Sequence, residues 1–322
     1  MIGVKTPFRI SFSGGSTDID YYYKKFGGKV ISTTISKYMF HFINHYKNEN
    51  ESLIKYSRTE LIKNNKPIQH PIVNEISKIY DLKGLDIHSI ADIPKGSGLA
   101  SSSAYTIGLI KGLSHLNNKK ISSKEIAEMA CKIEISKLKG PIGKQDQYAV
   151  AFGGLNLIEF HKDDTVTVKK INIGKEQYNF LNSSFLLVKA GNQRSASTVL
   201  KSQKDQKNDE KFLNKIHQIK ELVQPMHKAL IENNLKDIGE LLTYNWKIKS
   251  SLTNKTSNKK IDEIFDSILK VKGVYGGKLL GAGAGGYFLV VGNKKSLNEL
   301  STKFKTVKFN FEPDGTQIIF NS

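Results

Sequence analysis

Between residues 84 and 116 the chain runs from GLDIHSIADIP through KGSGLASSS into AYTIGLIKGL. Period-two alternation closed by a proline marks a strand, and the apolar run after the serines marks a helix over about 101–116. The glycines between them make a short loop. This passage narrows the fold more than any other, because a sheet must end where a helix begins. Residues 3–12 and 28–46 also alternate and read as strands, and 122–140 reads as a second helix. Ser122 or Ser123 can cap that helix, and Gly140 and Pro141 stop it. GGLNLIEF and TVTVKKINI predict a hairpin over 153–173, and SSFLLVKAG (183–191) starts a new strand. Lys-rich helices follow over about 195–258, with another at 262–273. GVYGGKLLGAGAGGYFLVVG reads as strand, glycine turn, strand; TKFKTVKFNFEPDGTQIIF reads as strands with an Asp-Gly turn. Strands and helices mix without regular βαβ alternation, so the predicted class is α+β. The shift to new strands divides the chain into 1–178 and 179–322.

A chain of 322 residues can bury a sizeable core and form two domains. Its one cysteine, Cys131, excludes an intramolecular disulfide and suits a reducing cytoplasm. MIGVKTPFRISFSGG lacks the basic, apolar and cleavage regions of a signal peptide. No apolar run approaches the ~18 residues of a membrane span. The formal charge of +19 raises the question of a nucleic-acid or small polyanionic partner. The lysines, however, alternate with Asn, Gln, Asp and Ser, as in KIKSSLTNKTSNKK, which reads as solvated helix faces and loops.

The loop before the first helix offers unpaired backbone N–H groups at a helix start, and Gly96 and Gly98 allow close backbone approach. Lys95 adds a charge, and a first-turn serine hydroxyl can ligate Mg²⁺. The helix end contributes only about 0.3–2 kcal/mol, so a triphosphate needs several aligned donors and a metal. No GxxxxGK[ST] sequence occurs, which excludes a Walker A loop. A plain flexible turn with a serine cap fits the same residues. Ala127, Cys131, Glu134 and Leu138 share a predicted helix face, so Glu134 either reaches solvent or meets a metal at the first helix. Asp146 lies in a polar knot, GKQDQ, before AVAF; it suits either an Asx turn or helix cap, or a catalytic carboxylate kept ionised by Lys144. In PFRISFSGGSTDIDYYY a strand bearing Arg9 runs into a turn with Ser16, Asp18 and Asp20, groups suited to sugar hydroxyls. GAGAGG (281–286) matches GxGxxG, but a strand follows it, which excludes a Rossmann site; its glycines predict close backbone packing. His41 and His45 sit on an alternating strand without a third ligand, so no zinc site is expected.

Taken in order, these motifs resemble the GHMP kinases over nearly the whole chain. PKGSGLASSSA resembles the family's phosphate-binding motif, with Ala100 where glycine is commoner; that residue predicts φ below zero there. LLGAGAGGYFLV resembles the third motif, through Gly281, Gly283 and Gly285. PFRISFSGGSTDIDYYY, GKQDQYAVAFGG and GNQRSAS most resemble the D-glycero-D-manno-heptose 7-phosphate kinases within that superfamily, and fucokinases share part of the pattern.

The resemblance implies a ribosomal-S5-like N-terminal domain and a ferredoxin-like C-terminal domain with ATP between them. It implies that Lys95, Gly96, Ser97, Gly98, Leu99, Ala100, Ser101, Ser102 and Ser103 surround ATP, and that Ser102 and Glu134 hold Mg²⁺. It implies Asp146 as the base and Arg9 beside the attacking hydroxyl. Ser16 and Asp18 match a sugar-binding turn, with Asp20 beside it. The sugar's phosphate would then need a cation, for which Arg194 and Lys144 are the candidates. The implied reaction makes a heptose 1,7-bisphosphate on the route to GDP-heptose and surface polysaccharide. The implied partners are ATP and a sugar phosphate, with neither nucleic acid nor membrane. Two readings from other classes are a basic nucleic-acid-binding protein and a catalytically dead sugar sensor. The first leaves Glu134, Asp146 and Asp18 unexplained, and the second conflicts with their retention alongside Ser102.

Overall fold

The computed structural model describes residues 1–63, 66–191 and 196–322. Its first half contains β1 (Ile2–Ser13), α1 (Asp20–Phe26), β2 (Gly28–His45), β3 (Ser52–Lys55), β4 (Thr59–Ile62), α2 (Pro71–Ile76), β5 (Leu85–Ala91), α3 (Ser101–Leu116), α4 (Ser123–Cys131), α5 (Gln145–Phe152), β6 (Leu155–Phe160) and β7 (Val166–Lys170). The second half contains α6 (Lys175–Ser184), β8 (Phe185–Lys189), α7 (Ala196–Lys204), α8 (Glu210–Glu221), α9 (Val223–Ile231), α10 (Leu235–Ser250), α11 (Lys259–Leu269), β9 (Val274–Leu279), β10 (Tyr287–Gly292), α12 (Lys294–Lys303), β11 (Thr306–Val307), β12 (Phe311–Glu312) and β13 (Gln317–Asn321).

Strand β2 is long enough to serve two partners on one edge. Its first half pairs antiparallel with β6 and its second half with β5, while β1 lines the other edge. A sheet in the order β13-β1-β2-β5-β3-β4 results, with β6, β7 and β12 attached along β2. Helix α3 is buried on nearly every side because it lies between this sheet and α4 and α5. The second sheet has the order β11-β8-β10-β9 and is antiparallel throughout. Its four strands, numbered along the chain, lie in the order 4-1-3-2 with helices in the connections, as in a ferredoxin-like βαββαβ unit. The expected α+β class is therefore the observed one.

Where sequence and structure differ, local geometry explains it. The predicted second helix is α only to Cys131 and continues as a π-helical segment, Lys132–Lys137. Ser122 caps it, accepting from Glu125 N at 3.2 Å while Glu125 accepts from Ser122 N at 2.8 Å. Residues 145–152, most of the polar knot and the apolar run after it, form α5. Helix α12 lies between the two stretches read as strands, started by Asn293, whose side chain accepts from Ser296 N at 2.9 Å. The segment around Asp314 and Gly315 does not close a hairpin: β12 pairs with β2 and β13 with β1. A division at 178/179 falls inside α6 and leaves β12 and β13, from the second half, in the first sheet. Several helix lysines sit on solvated faces in i,i+4 pairs, such as Lys228 with Glu232 and Lys236 with Glu240.

Candidate active site

Two loops must meet before the site exists. Gly98 in the first loop and Gly281 in the second lie back to back. A Cβ on Gly98 would come 2.7 Å from Leu280 O, and one on Gly281 would come 2.5 Å from Gly98 Cα. Both residues have positive φ, 79° and 72°, so glycine is required twice over. The glycine-rich turn between β9 and β10 thus buttresses the loop that starts α3. Ala100, expected at negative φ, is the N-cap of α3 at φ 67°, ψ 32°. The turn needs a left-handed residue there, and the methyl is accommodated at a strain cost of about 1–2 kcal/mol. A cavity of about 670 Å³ opens in front of these loops.

Lys95, Gly96, Gly98, Ala100, Ser101, Ser102 and Ser103 line this cavity. Leu99 instead points into the core, and its carbonyl accepts from Arg9 N at 3.2 Å. Ser97 is buried, its hydroxyl without a partner among the described residues. Gly281, Gly283 and Gly285 line the cavity from the other loop. The start of α3 therefore faces an open volume with a concentration of hydroxyls and glycine backbone, a setting suited to phosphate oxygens.

Glu134 reaches this helix start. The widened turn of the π-helical segment carries its carboxylate inward, where Oε1 accepts from Ser102 Oγ at 2.6 Å and Oε2 from Gln147 Nε2 at 2.8 Å. Burial pushes the Glu134 carboxyl up from its ordinary range, opposed by hydrogen bonds from Ser102, Gln147 and Ser103. A buried carboxylate against a serine hydroxyl, both facing the cavity, is a hard-oxygen donor set of the kind Mg²⁺ shares with phosphates and water. Among the described residues no three His, Cys, Asp or Glu side chains form an all-protein metal cage.

Arg9 joins the two chemistries. Lying on β1 and almost fully buried, it donates from Nη1 to Gly98 O at 2.7 Å, and its Nε lies 2.9 Å and Nη2 2.6 Å from Asp146 Oδ1. Both contacts to Asp146 use one oxygen, Oδ1. Asp146 is in the first turn of α5 and only partly exposed. The neighbouring Gln145 accepts from Ser11 Oγ at 2.8 Å, which fixes the start of α5 against β1.

Asp18 is buried beneath the same opening. Its Oδ2 accepts from Gln145 N at 3.1 Å, and its carbonyl accepts from Lys144 N at 3.2 Å. A Cβ at position 143 would fall 2.0 Å from that carboxylate, so Gly143 permits the contact. Burial raises the Asp18 carboxyl to about 6, with Gln145 N–H and Arg9 opposing and Asp146 adding to the rise. Ser16, at φ 77°, lines the cavity with Asp18.

Two of the residues expected at the sugar are placed elsewhere. Asp20 opens α1 at the surface, accepting from Tyr21 N at 2.7 Å, and does not line the cavity. Lys144 turns away to Asp164, 2.7 Å from its Oδ1, and lies over the Tyr23 ring. The helix start at α5 presents the Lys144 backbone inward and its side chain outward. Arg194 lies outside the described residues. The structure adds Lys249, Asn245 and Gln203, from α10 and α7, and Lys278 from β9, none of which the motifs indicated. Burial pulls Lys249 down to about 8, with Arg9 adding to the fall and Asp18 and Asp146 opposing it. Burial, Lys249 and Arg9 hold Lys278 well below the usual lysine range.

Comparison with known proteins agrees with this geometry. The GHMP kinases N terminal domain matches residues 65–154, and the GHMP kinases C terminal domain matches 226–307. The chain is 32% identical over 312 residues to the D-glycero-alpha-D-manno-heptose 7-phosphate kinase of Campylobacter jejuni, covering 92% of this chain and 91% of that one. It is 24% identical to a galactokinase of Pyrococcus furiosus over 97% of this chain and 95% of the relative. Among solved structures, a D-glycero-D-manno-heptose 1-phosphate kinase of Bacteroides thetaiotaomicron superposes over the full length of both chains with a TM-score of 0.82 at 22% identity. A putative sugar kinase from Campylobacter jejuni superposes with a TM-score of 0.76 at 27% identity, covering 98% of this chain and 97% of that one. Among the described residues no helix is long and apolar enough to cross a membrane. With both family domains matched in order and a full-length relative at this identity, the chain belongs to the GHMP kinases, which use ATP to phosphorylate alcohol acceptors.

Proposed function

We propose that this protein transfers the γ-phosphoryl group of ATP to the anomeric hydroxyl of D-glycero-D-manno-heptose 7-phosphate, giving the 1,7-bisphosphate. The observation that carries this reading is the Arg9 bridge. One guanidinium holds both the phosphate-loop carbonyl of Gly98 and the carboxylate of Asp146. Donor and acceptor sides are thereby fixed to the same buried side chain. The choice of sugar leans on the Campylobacter relative named for that substrate. The Bacteroides structure is named for a heptose 1-phosphate, so a heptose phosphate is the shared element. Residues 1–178 and 179–322 serve in this reading as N- and C-terminal domains flanking the nucleotide.

Phosphoryl transfer asks chiefly for positioning and for neutralisation of charge. The N–H groups at the start of α3 receive phosphate oxygens, and Lys95 adds a cation at the rim. Ser102 and Glu134 would hold Mg²⁺, which would supply charge neutralisation on the phosphates. Arg9 keeps Asp146 Oδ1 fixed, so that Oδ2 orients the anomeric hydroxyl and receives its proton as the new P–O bond forms. Ser16 and Asp18 position the sugar ring. Cells using this reaction would feed the product toward GDP-heptose and a surface polysaccharide such as capsule or lipopolysaccharide.

The test is an acceptor panel with ATP and Mg²⁺: free heptose, heptose 7-phosphate, heptose 1-phosphate, galactose and L-fucose. ADP release is expected with heptose 7-phosphate above all, with the new phosphate on C1 by NMR. Preference for a free sugar, or phosphate placed on another carbon, would overturn the assignment.

A further inference from the structure

The chemistry above leaves one part of the cavity unused. Helix α10 presents Asn245 and Lys249, four residues and so one turn apart on the same face. Helix α7 presents Gln203 beside them. Gln203 is 0% exposed, Asn245 1% and Lys249 7%. Buried polar groups are almost always paired, because an unpaired one loses its bonds to water. Yet neither amide atom of Gln203, nor Nδ2 of Asn245, has a partner among the described residues. Lys249 donates to Gly281 O and joins no ion pair among the described residues. Lys278 lies near it, donating to Phe12 O at 3.1 Å. Amide donors and an ammonium without a counter-ion, facing one cavity, are complementary to a multivalent anion.

In the reading above ATP already has the loop for its phosphates, with Ser102 and Glu134 for their Mg²⁺, whereas Gln203, Asn245 and Lys249 belong to α7 and α10, outside that loop. The carboxylates acting on Lys249 are Asp18 and Asp146, both on the acceptor side. Of the two cations that sequence offered for the sugar's phosphate, Lys144 is committed to Asp164 and Arg194 lies outside the described residues. We propose that Lys249, with Gln203 and Asn245, binds the phosphate that the acceptor already carries, and so selects a sugar phosphate over the free sugar. The inference rests on the sugar-phosphate kinase reading above and names its specificity subsite.

The experiment compares Lys249→Met and Gln203→Leu with the parent, using heptose 7-phosphate, free heptose and a non-hydrolysable ATP analogue. The parent's preference for heptose 7-phosphate, as a ratio of kcat/KM values, is expected to fall roughly 10- to 100-fold in Lys249→Met, the span of a lost charge-assisted hydrogen bond. Affinity for the ATP analogue is expected to hold. Lys249→Met removes a buried cation, so the ligand-free thermal midpoint should stay level or rise, while the increment from heptose 7-phosphate should shrink. Gln203→Leu should move the same ratio in the same direction, and it decides the matter if Lys249→Met fails to fold. An unchanged ratio, or weakened ATP-analogue binding with the ratio intact, overturns the subsite. A parent without any preference for the phosphorylated sugar refutes the substrate reading instead, so the two failures are told apart.

Discussion

The two walls of the cavity are built on opposite principles. On the wall from β1, α3 and α5, polar groups are tied to one another: Arg9 to Asp146 and Gly98, Glu134 to Ser102 and Gln147, Asp18 to the start of α5. On the wall from α7 and α10, Gln203 and Asn245 have amide atoms unpaired among the described residues, and Lys249 has only a carbonyl there. A tied wall is preorganised, which is what stabilising a transition state requires. An untied wall is unsatisfied until a ligand completes it, which is what discriminating between ligands requires, since a ligand lacking the partner group leaves the penalty in place. On the proposed function, chemistry and selection would thus be separated by wall.

The sharpest way to break this comparison is to loosen the tied wall at its reacting end. In Asp146→Asn the amide oxygen still accepts from Arg9, so the bridge to Gly98 survives, but the free position becomes a donor. Turnover is expected to drop ~10²–10⁴-fold, the usual contribution of a positioned proton acceptor. ATP-analogue affinity should remain near the parent's. Steady-state rates with equilibrium titration check both, and near-parental turnover would remove Asp146 from the chemistry.

A smaller effect comes from the cost of the tying. Burial raises Asp18 to about 6 from 3.8. Between those values the folded state holds a proton that the unfolded state has released, so stability falls as pH rises. The contribution is fully present below about pH 4 and gone above about pH 6, a difference on the order of 3 kcal/mol at most. Asp18→Asn keeps an acceptor for Gln145 N and cannot titrate, so its stability curve is expected to be flatter across that window. Urea midpoints of both proteins from pH 4 to 7 measure this. Parallel curves would mean that the carboxyl is less isolated than its position indicates.

The same contrast explains what could be read from sequence. The tied wall lies on local motifs, where a glycine turn beside a helix start or strand end announces itself within a dozen residues. Gly98, Ser102 and Gly281 were legible for that reason, and so was the strand–turn–strand of β9 and β10. Asp146 was legible as a polar knot although the helix around it was not, because α5 is short and begins inside that knot. Asp20 and Lys144 were misplaced because adjacency in sequence is not adjacency of side chains at a helix start. The untied wall depends on how α7 and α10 dock, which no local pattern encodes. One signal was available: Ile238, Leu242 and Trp246 form a buried stripe on α10, and Asn245 and Lys249 lie along its edge, also buried. A lysine and an asparagine on the inward face of a helix amid lysine-rich solvated ones were hidden by the composition of their neighbours.

The finest test of the tied wall concerns the strained backbone at the start of α3. Ala100 caps α3 at positive φ with its methyl buried. Replacing it with glycine relieves about 1–2 kcal/mol of left-handed strain. Against that stand ~0.5–1 kcal/mol of extra unfolded-state entropy and about 0.8 kcal/mol for the lost methyl. The opposing effects nearly cancel, so Ala100→Gly is expected to unfold within about 1 kcal/mol of the parent. At negative φ, the conformation that alanine ordinarily prefers, there would be no strain to relieve and the same change would destabilise by about 1.5 kcal/mol. Chemical denaturation resolves the difference, and ATP-analogue affinity adds a second readout, because the loop that Ala100 closes keeps its shape in one case and gains freedom in the other. A clear loss of stability would show that the loop's left-handed turn is not held at this residue, and the tied wall would then owe its order to the Gly98–Gly281 contact alone.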